Sequence, residues 1–181
     1  MSHPVDPHCS FKDASDWIVR FAPLVRERGR VLDVACGAGR HSRLFLDRDH
    51  PVVALDRDVS RLGALGQREN MRAIEADLEN GNPWPLGDEK FSGIIVANYL
   101  HRPLFPVFID RLEPGGILIY ETFAKGNEQF GKPSNPAFLL DDGELLEIVR
   151  GRLHVVAYEA IEIAEPKPAV VQRICVTNEQ G

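Results

Sequence analysis

Between residues 30 and 46 the chain runs, without a break, from a β-branched stretch through a glycine-rich turn into a helical pattern. Arg30-Val-Leu-Asp-Val34 reads as a short strand, Ala35-Cys-Gly-Ala-Gly39 as a tight turn, and Arg40 to Leu46 resumes helical spacing. Further strand and helix patterns alternate along the chain. That alternation implies a parallel sheet with helices on both faces, and in such sheets ligands bind beyond the carboxyl ends of the strands, near the point where strand order reverses.

The pattern predicts a helix over 13–28, with Asp13 as a possible cap, Trp17, Phe21, Leu24 and Val25 on one face, and Gly29 as its stop. Strands are expected at Val52–Asp56, Met71–Glu75 and Phe91–Ala97, the last a continuous apolar run suited to burial on both faces. A helix is expected over 60–68, and another opening at Pro103 with Leu104, Val107, Phe108 and Leu112 on one face. Glu113-Pro-Gly-Gly116 reads as a turn into a strand at Ile117–Thr122, and 141–150 as a final helix. Two closing strands, Val155–Ile163 and Ala169–Thr177, would form an antiparallel hairpin at the sheet edge. The segment 123–140, with glycines at 126 and 131 and prolines at 133 and 136, reads as a long lid or binding loop.

Composition narrows the partners. The chain has 181 residues, 21 basic against 27 acidic, a net charge of −6, and 44% hydrophobic residues. One domain over 13–181 after a flexible arm over 1–12 fits that length. No basic excess supplies a counterion-release term, so a nucleic-acid partner is not expected. The three cysteines form no CxxC pair, no targeting leader is evident at the N-terminus, and no apolar run reaches membrane-spanning length. A cytoplasmic monomer or homodimer, away from membranes, is the expectation. His3, His8 and Cys9 are too scattered to read as a metal site, and none is expected.

Charge separates the ligands that could occupy the glycine turn. A dinucleotide pyrophosphate there would be repelled by Asp33 at the end of the first strand, whereas a sulfonium and an ammonium would be attracted. Asp56, at the end of the second strand, could accept both hydroxyls of a ribose of either ligand. Asp77, after the third strand, suits an adenine amino group or a local turn cap. No Gly-Lys-Ser/Thr follows the glycines, which excludes a P-loop.

Val31-Leu-Asp-Val-Ala-Cys-Gly-Ala-Gly-Arg-His41, Ala54-Leu-Asp56, Glu75-Ala-Asp77-Leu78, Ile95-Val-Ala-Asn98 and Leu112-Glu-Pro-Gly-Gly-Ile117 together resemble the spaced motifs of class I S-adenosylmethionine-dependent methyltransferases. Within that class the chain is similar to the minimal-core, tellurite-resistance type. The resemblance covers about residues 30–178 and implies a Rossmann-like, seven-stranded, mostly parallel sheet of order 3-2-1-4-5-7-6 with the last strand antiparallel. It implies that S-adenosyl-L-methionine binds and leaves as S-adenosyl-L-homocysteine. Asp33, Ala35, Gly37 and Gly39 would line the methionine moiety, Asp56 the ribose, Asp77 and the Leu78 amide the adenine, with Asn98 completing the site. Ala35 stands where the family usually has a glycine, and its methyl is expected to narrow the approach to the ligand.

Methyl transfer is an in-line displacement that needs alignment and exclusion of water, plus a base when the nucleophile is oxygen or nitrogen. After the fourth strand, His101 is the candidate base, Tyr99 a wall or hydrogen-bond donor, and Arg102 an anchor for an anionic acceptor. His101 could equally pack locally at a helix start. Glu121 could touch substrate or cap the loop, and the Ser15-Asp16-Trp17 region could cap the cofactor. The expected activity is methyl transfer to a small-molecule acceptor. Methylation of RNA or protein, and cofactor binding without transfer, remain as alternatives.

Overall fold

The structure is a computed structural model that describes residues 13–179; the expected N-terminal arm and the histidine–cysteine group within it lie outside the described residues. Seven strands form one sheet: β1 (Val31–Val34), β2 (Val52–Asp56), β3 (Met71–Glu75), β4 (Phe91–Ala97), β5 (Leu112–Phe123), β6 (His154–Ile163) and β7 (Ala169–Thr177). Their order is β3-β2-β1-β4-β5-β7-β6, parallel except for β7, which runs antiparallel between β5 and β6. This is the sheet that the motif resemblance implied.

All four β1 residues are buried, because the sheet is covered on both faces. Leu32, Val34, Ile94, Val96 and Tyr120 pack on one face with Phe108. Val31, Ala54, Ile95 and Ile119 pack on the other with Trp17, Ile18 and Phe45. The register pairs Val34 with both Leu55 and Val96, so the residues that follow these three central strands emerge together at one edge. Beside them Ala97 pairs with Glu121, which in turn pairs with Arg173.

The helices are α1 (Asp16–Phe21), α2 (Arg40–Leu46), α3 (Phe105–Asp110) and α4 (Glu144–Val149); α2 has the expected bounds, and the other three are shorter than their periodicity suggests. The stretch expected to be helical over 13–28 stops at Phe21, continues as a 3-10 turn over Ala22–Leu24, and is extended at Val25. Pro23 lacks the N–H that the next helical turn would donate. Trp17, Phe21 and Val25 are buried as expected, but Leu24 is 46% exposed. The 60–68 helix is replaced by 3-10 turns over Val59–Gln67, broken at Gly63 (φ +51°, ψ −131°). A glycine gives up too much backbone freedom to hold so short a helix together.

Leu112 belongs to β5 and not to the preceding helix face, pairing with Phe91 before a bulge that carries the register to Gly93 and Ile117. A Cβ on Gly116 would stand 2.8 Å from the Glu113 carbonyl oxygen, so the expected turn is a glycine-dependent bulge inside a long strand. The 123–140 segment is ordered. It holds two 3-10 turns, Asn127–Phe130 and Pro136–Phe138, and its ends are joined by a bridge between Ala124 and Leu140. Asn127, 2% exposed, pins it: Nδ2 donates to the Pro133 carbonyl (2.9 Å), and Oδ1 accepts from the Val170 amide (3.2 Å). Among the described residues no helix is long and apolar enough to cross a membrane.

Candidate active site

The glycine turn is left-handed at three positions, Ala35 (φ +52°), Gly37 (φ +56°) and Gly39 (φ +76°). Gly39 is required twice over, since a Cβ there would also lie 2.5 Å from Leu65 Cδ2 and 2.7 Å from Leu62 Cδ2. At Gly37 the nearest obstacle is the Arg61 guanidinium at 3.8 Å, so the turn is open on that side. Ala35 departs from the family pattern through its backbone, where left-handed geometry costs an alanine about 1 kcal/mol.

Asp33 lies beneath this turn and not on its surface. It is 1% exposed, and Oδ2 accepts both the amide (2.9 Å) and the hydroxyl (2.6 Å) of Ser42, tying the end of β1 to the first turn of α2. Burial pushes its carboxyl up to about 6, against the opposing pull of the Ser42 bonds and Arg40. Asp56 is the carboxylate at the turn itself: Oδ2 accepts from the Gly37 amide (2.8 Å) and Oδ1 from the Asp58 amide (3.0 Å).

Two cavities open along this edge of the sheet. The first, about 840 Å³, lies past the ends of β3 and β4 and is lined by Asp77, Leu78, Trp84, His101 and Leu104 among others. Asp77 is exposed and accepts from the Glu79 amide (2.9 Å), so it does cap its own turn. The second, about 620 Å³, is lined by Asn98, Glu121, Arg173, Phe123, Phe130 and further residues of the 123–140 segment and the α1 approach, including Ser15 and Asp16. Asn98, also left-handed (φ +55°), donates its amide to the Glu121 carbonyl (2.9 Å).

The three catalytic candidates are not brought together on the second cavity. His101 stands in the first, beside Asp77 and Leu78. The Tyr99 hydroxyl is held above its ordinary range by burial and by the Glu79 carboxylate, while its carbonyl accepts from the Tyr120 hydroxyl (2.6 Å). Arg102, expected as an anion anchor, is engaged within the protein. Its Nε and Nη2 grip the two Glu144 carboxylate oxygens (2.7 and 2.9 Å), and Nη1 and Nη2 donate to the Ala137 and Leu139 carbonyls (3.0 and 2.9 Å). Two bonds to the end of the loop and two to Glu144 of α4 make it a clamp. With its side chain 39% exposed, Arg102→Ala should cost only about 1–2 kcal/mol, yet it should speed proteolysis within 123–140 on the order of tenfold. Limited digestion beside a melting curve checks both, and Arg102→Lys should fail to restore the loop, because an ammonium cannot form the fork.

Residues that the sequence did not single out complete the site. Trp84 walls the first cavity with its indole N–H buried and unpaired. Arg173, a lone charge in the apolar β7 run, holds Glu121 at 3.2 Å and Glu159 at 3.5 Å. His41, 4% exposed, accepts the Ser15 amide on Nε2 (3.3 Å), which fixes the segment leading into α1 and leaves the ring proton on Nδ1. Cys36, inside the turn, has its thiol pushed up by burial, in keeping with a packing role.

Burial, helped by Arg40, drops His41 from 6.5 to about 3. Between those values only the unfolded chain binds this proton, so the His41 contribution to stability is present above about 6.5 and is lost as pH falls. Asp33 acts oppositely: it binds its proton in the folded chain between 3.8 and about 6, and its contribution weakens as pH rises through that window. Stability should therefore change little with pH between 4 and 6 as far as these two groups are concerned. In His41→Gln it should fall as pH rises over the same interval, as read from denaturant melts at each pH.

Residues 31–116 match a family described as a methyltransferase domain. Over those residues the chain is similar to a methyltransferase domain. The sheet around that segment has the fold of solved methyltransferase structures. The TehB structure from Haemophilus influenzae superposes on this chain with a TM-score of 0.74 at 16% identity, covering 91% of this chain and 62% of that one. The 1,6-didemethyltoxoflavin N1-methyltransferase of Burkholderia thailandensis, solved with S-adenosylhomocysteine, gives 0.66 at 20% identity, covering 90% and 76%. In sequence, a malonyl-[acyl-carrier protein] O-methyltransferase of Pectobacterium atrosepticum is 32% identical over 139 residues, 65% of this chain and 53% of that protein. The chain thus spans about half the length of the curated relatives it matches. The family match ends at residue 116, so most of the second cavity's lining lies outside it.

Proposed function

We propose that the protein transfers a methyl group from S-adenosylmethionine to a small molecule. The observation that carries this is the Asp56 carboxylate bonded to the Gly37 amide, at a glycine turn flanked by two separate cavities. The residues present fit the donor. A Cβ at Gly37 would fill the one open side of the turn, Asp56 supplies a carboxylate for a diol, and the first cavity offers an aromatic wall and the polar groups of Asp77 and Leu78. When bound, S-adenosylmethionine supplies a methyl carbon activated by a positive sulfur.

The protein's own part is alignment. Asp56 and the Leu78 amide would hold the ribose and adenine, the Gly37–Gly39 backbone the methionine end, and Asn98 the junction with the second cavity. Phe123, Phe130 and the clamped 123–140 segment would keep water from that cavity. The relatives named for malonyl-acyl carrier and toxoflavin-type substrates support a small acceptor group. A reducing, cytoplasmic setting and a monomer or homodimer belong to the same proposal; Cys36 and Cys175 are free and buried. Isothermal calorimetry with S-adenosylhomocysteine should give saturable binding, and a labelled-methyl screen should find transfer to a low-molecular-weight acceptor. Absence of binding would overturn the proposal.

A further inference from the structure

We infer that Glu121 is the proton acceptor of the methyl-transfer step and that the accepting atom is a neutral N–H or O–H on a largely apolar small molecule. This rests on the methyltransferase reading above and assigns chemistry to its second cavity. Glu121 lies at the end of β5, level with Ala97 at the end of β4, and its main-chain carbonyl holds the Asn98 amide. Its side chain is 9% exposed yet lines the cavity, so the carboxylate is largely shielded from solvent, and its contact with Arg173 is an ion pair without a hydrogen bond from Nε.

Charge sets what it can do. Arg173 Nε is 3.2 Å from Glu121 Oε2, and its Nη1 is 3.5 Å from Glu159 Oε2. One guanidinium therefore serves two carboxylates, with Arg20 only a distant, exposed contributor at 3.8 Å from Glu159. With these three ionised the group carries one excess negative charge, offset in part by Arg20 at Glu159, which stands behind the lining; what remains disfavours an anionic acceptor beside Glu121. When Glu121 takes a proton, Arg173 keeps Glu159, so no buried cation is left unpaired. The other charged groups of the lining, Arg40, Lys132 and Lys167 against Asp13, Asp16 and Glu165, balance one another and do not reverse this local sign. Phe123, Phe130, Ile163 and Val171 supply apolar walls, and a volume of about 620 Å³ is of small-molecule size.

The step balances. The lone pair of the acceptor nitrogen or oxygen forms the new bond to the methyl carbon, the broken carbon–sulfur pair stays on sulfur, and the acceptor's proton passes to Glu121. A neutral acceptor, a sulfonium and a carboxylate thereby become a methylated product, a thioether and a carboxylic acid. Thiols ionise in water near neutrality and need no such base.

The test uses the full chain with three acceptors, 4-hydroxyquinoline, thiophenol and selenite, together with calorimetry of S-adenosylhomocysteine. Wild type should methylate 4-hydroxyquinoline and not selenite. Glu121→Gln should lower kcat/KM for 4-hydroxyquinoline about 100-fold, leave any thiophenol transfer within about threefold, and bind S-adenosylhomocysteine within about twofold of wild type. Glu159→Gln leaves Arg173 to Glu121 alone and holds it ionised more firmly; the acid limb of the rate profile should move to lower pH, a shift that a purely structural pair would not produce. Equal losses on all acceptors, an unmoved acid limb, preference for selenite, or failure to methylate 4-hydroxyquinoline with binding intact would each overturn the Glu121 assignment. Failure of wild type to bind S-adenosylhomocysteine would overturn the parent reading instead.

Discussion

Asp56→Ala should weaken S-adenosylhomocysteine binding about 100-fold, the largest loss expected from any single truncation in the donor site. The carboxylate has two functions in one place. It already accepts the Gly37 and Asp58 amides, and in the proposed complex it also accepts the ribose hydroxyls. Hydrogen bonds to an ionised group contribute roughly 1.5–3 kcal/mol each, so losing those to the diol amounts to about 3 kcal/mol. The amides it releases at a half-buried site should lower stability by about 1 kcal/mol, a few degrees of melting temperature. Asp56→Asn keeps an acceptor oxygen and should lose about tenfold. Calorimetry and thermal melts of the three proteins separate the binding loss from the folding loss; equal affinities would remove Asp56 from the donor site.

Gly39→Ala should be the most destabilising change in the turn, by about 3 kcal/mol and roughly 10 °C. It places a methyl 2.5 Å from Leu65 and 2.7 Å from Leu62 while forcing a side chain into φ +76°. Gly37→Ala meets nothing closer than 3.8 Å, so it should cost only the backbone strain, about 1 kcal/mol. Its effect should appear in S-adenosylhomocysteine affinity instead, with a loss of at least about tenfold, because the methyl would occupy the open side of the turn. The contrast is the informative part: one glycine protects the packing of the Leu62–Leu65 segment, and the other protects a surface.

Strands were legible in this sequence because a sheet buried on both faces must be written in uninterrupted apolar, β-branched residues, as in Phe91–Ala97. The carboxylates at the strand ends were legible as positions, since an acid that closes an apolar strand stands out in the sequence. What each carboxylate touches was not legible: Asp33 turned out to serve Ser42, a partner defined by the three-dimensional course of the turn. Helix lengths were overread because a helical period survives in sequence even where Pro23 or Gly63 interrupts the hydrogen bonding. Arg102 looked like a free cation because Glu144 lies 42 residues away. The Glu121–Arg173 pair depends on β7 inserting between β5 and β6, which is a fact of topology and leaves no local trace beyond a charge in an apolar strand.

The two cavities share no lining residue. One is written by the segments that follow β2 and β3 together with His101, Leu104 and Val107 after β4, the other by residues 13–16, Arg40, Asn98, the end of β5, residues 127–132 and the β6–β7 hairpin. Under the proposed function, most changes that retune the acceptor cavity fall in the C-terminal part of the chain and touch no residue that lines the other cavity. That division makes the scaffold readily re-addressed: replacing segments 121–132 and 163–173 of the full chain with those of a related protein should change the acceptor and retain S-adenosylhomocysteine affinity.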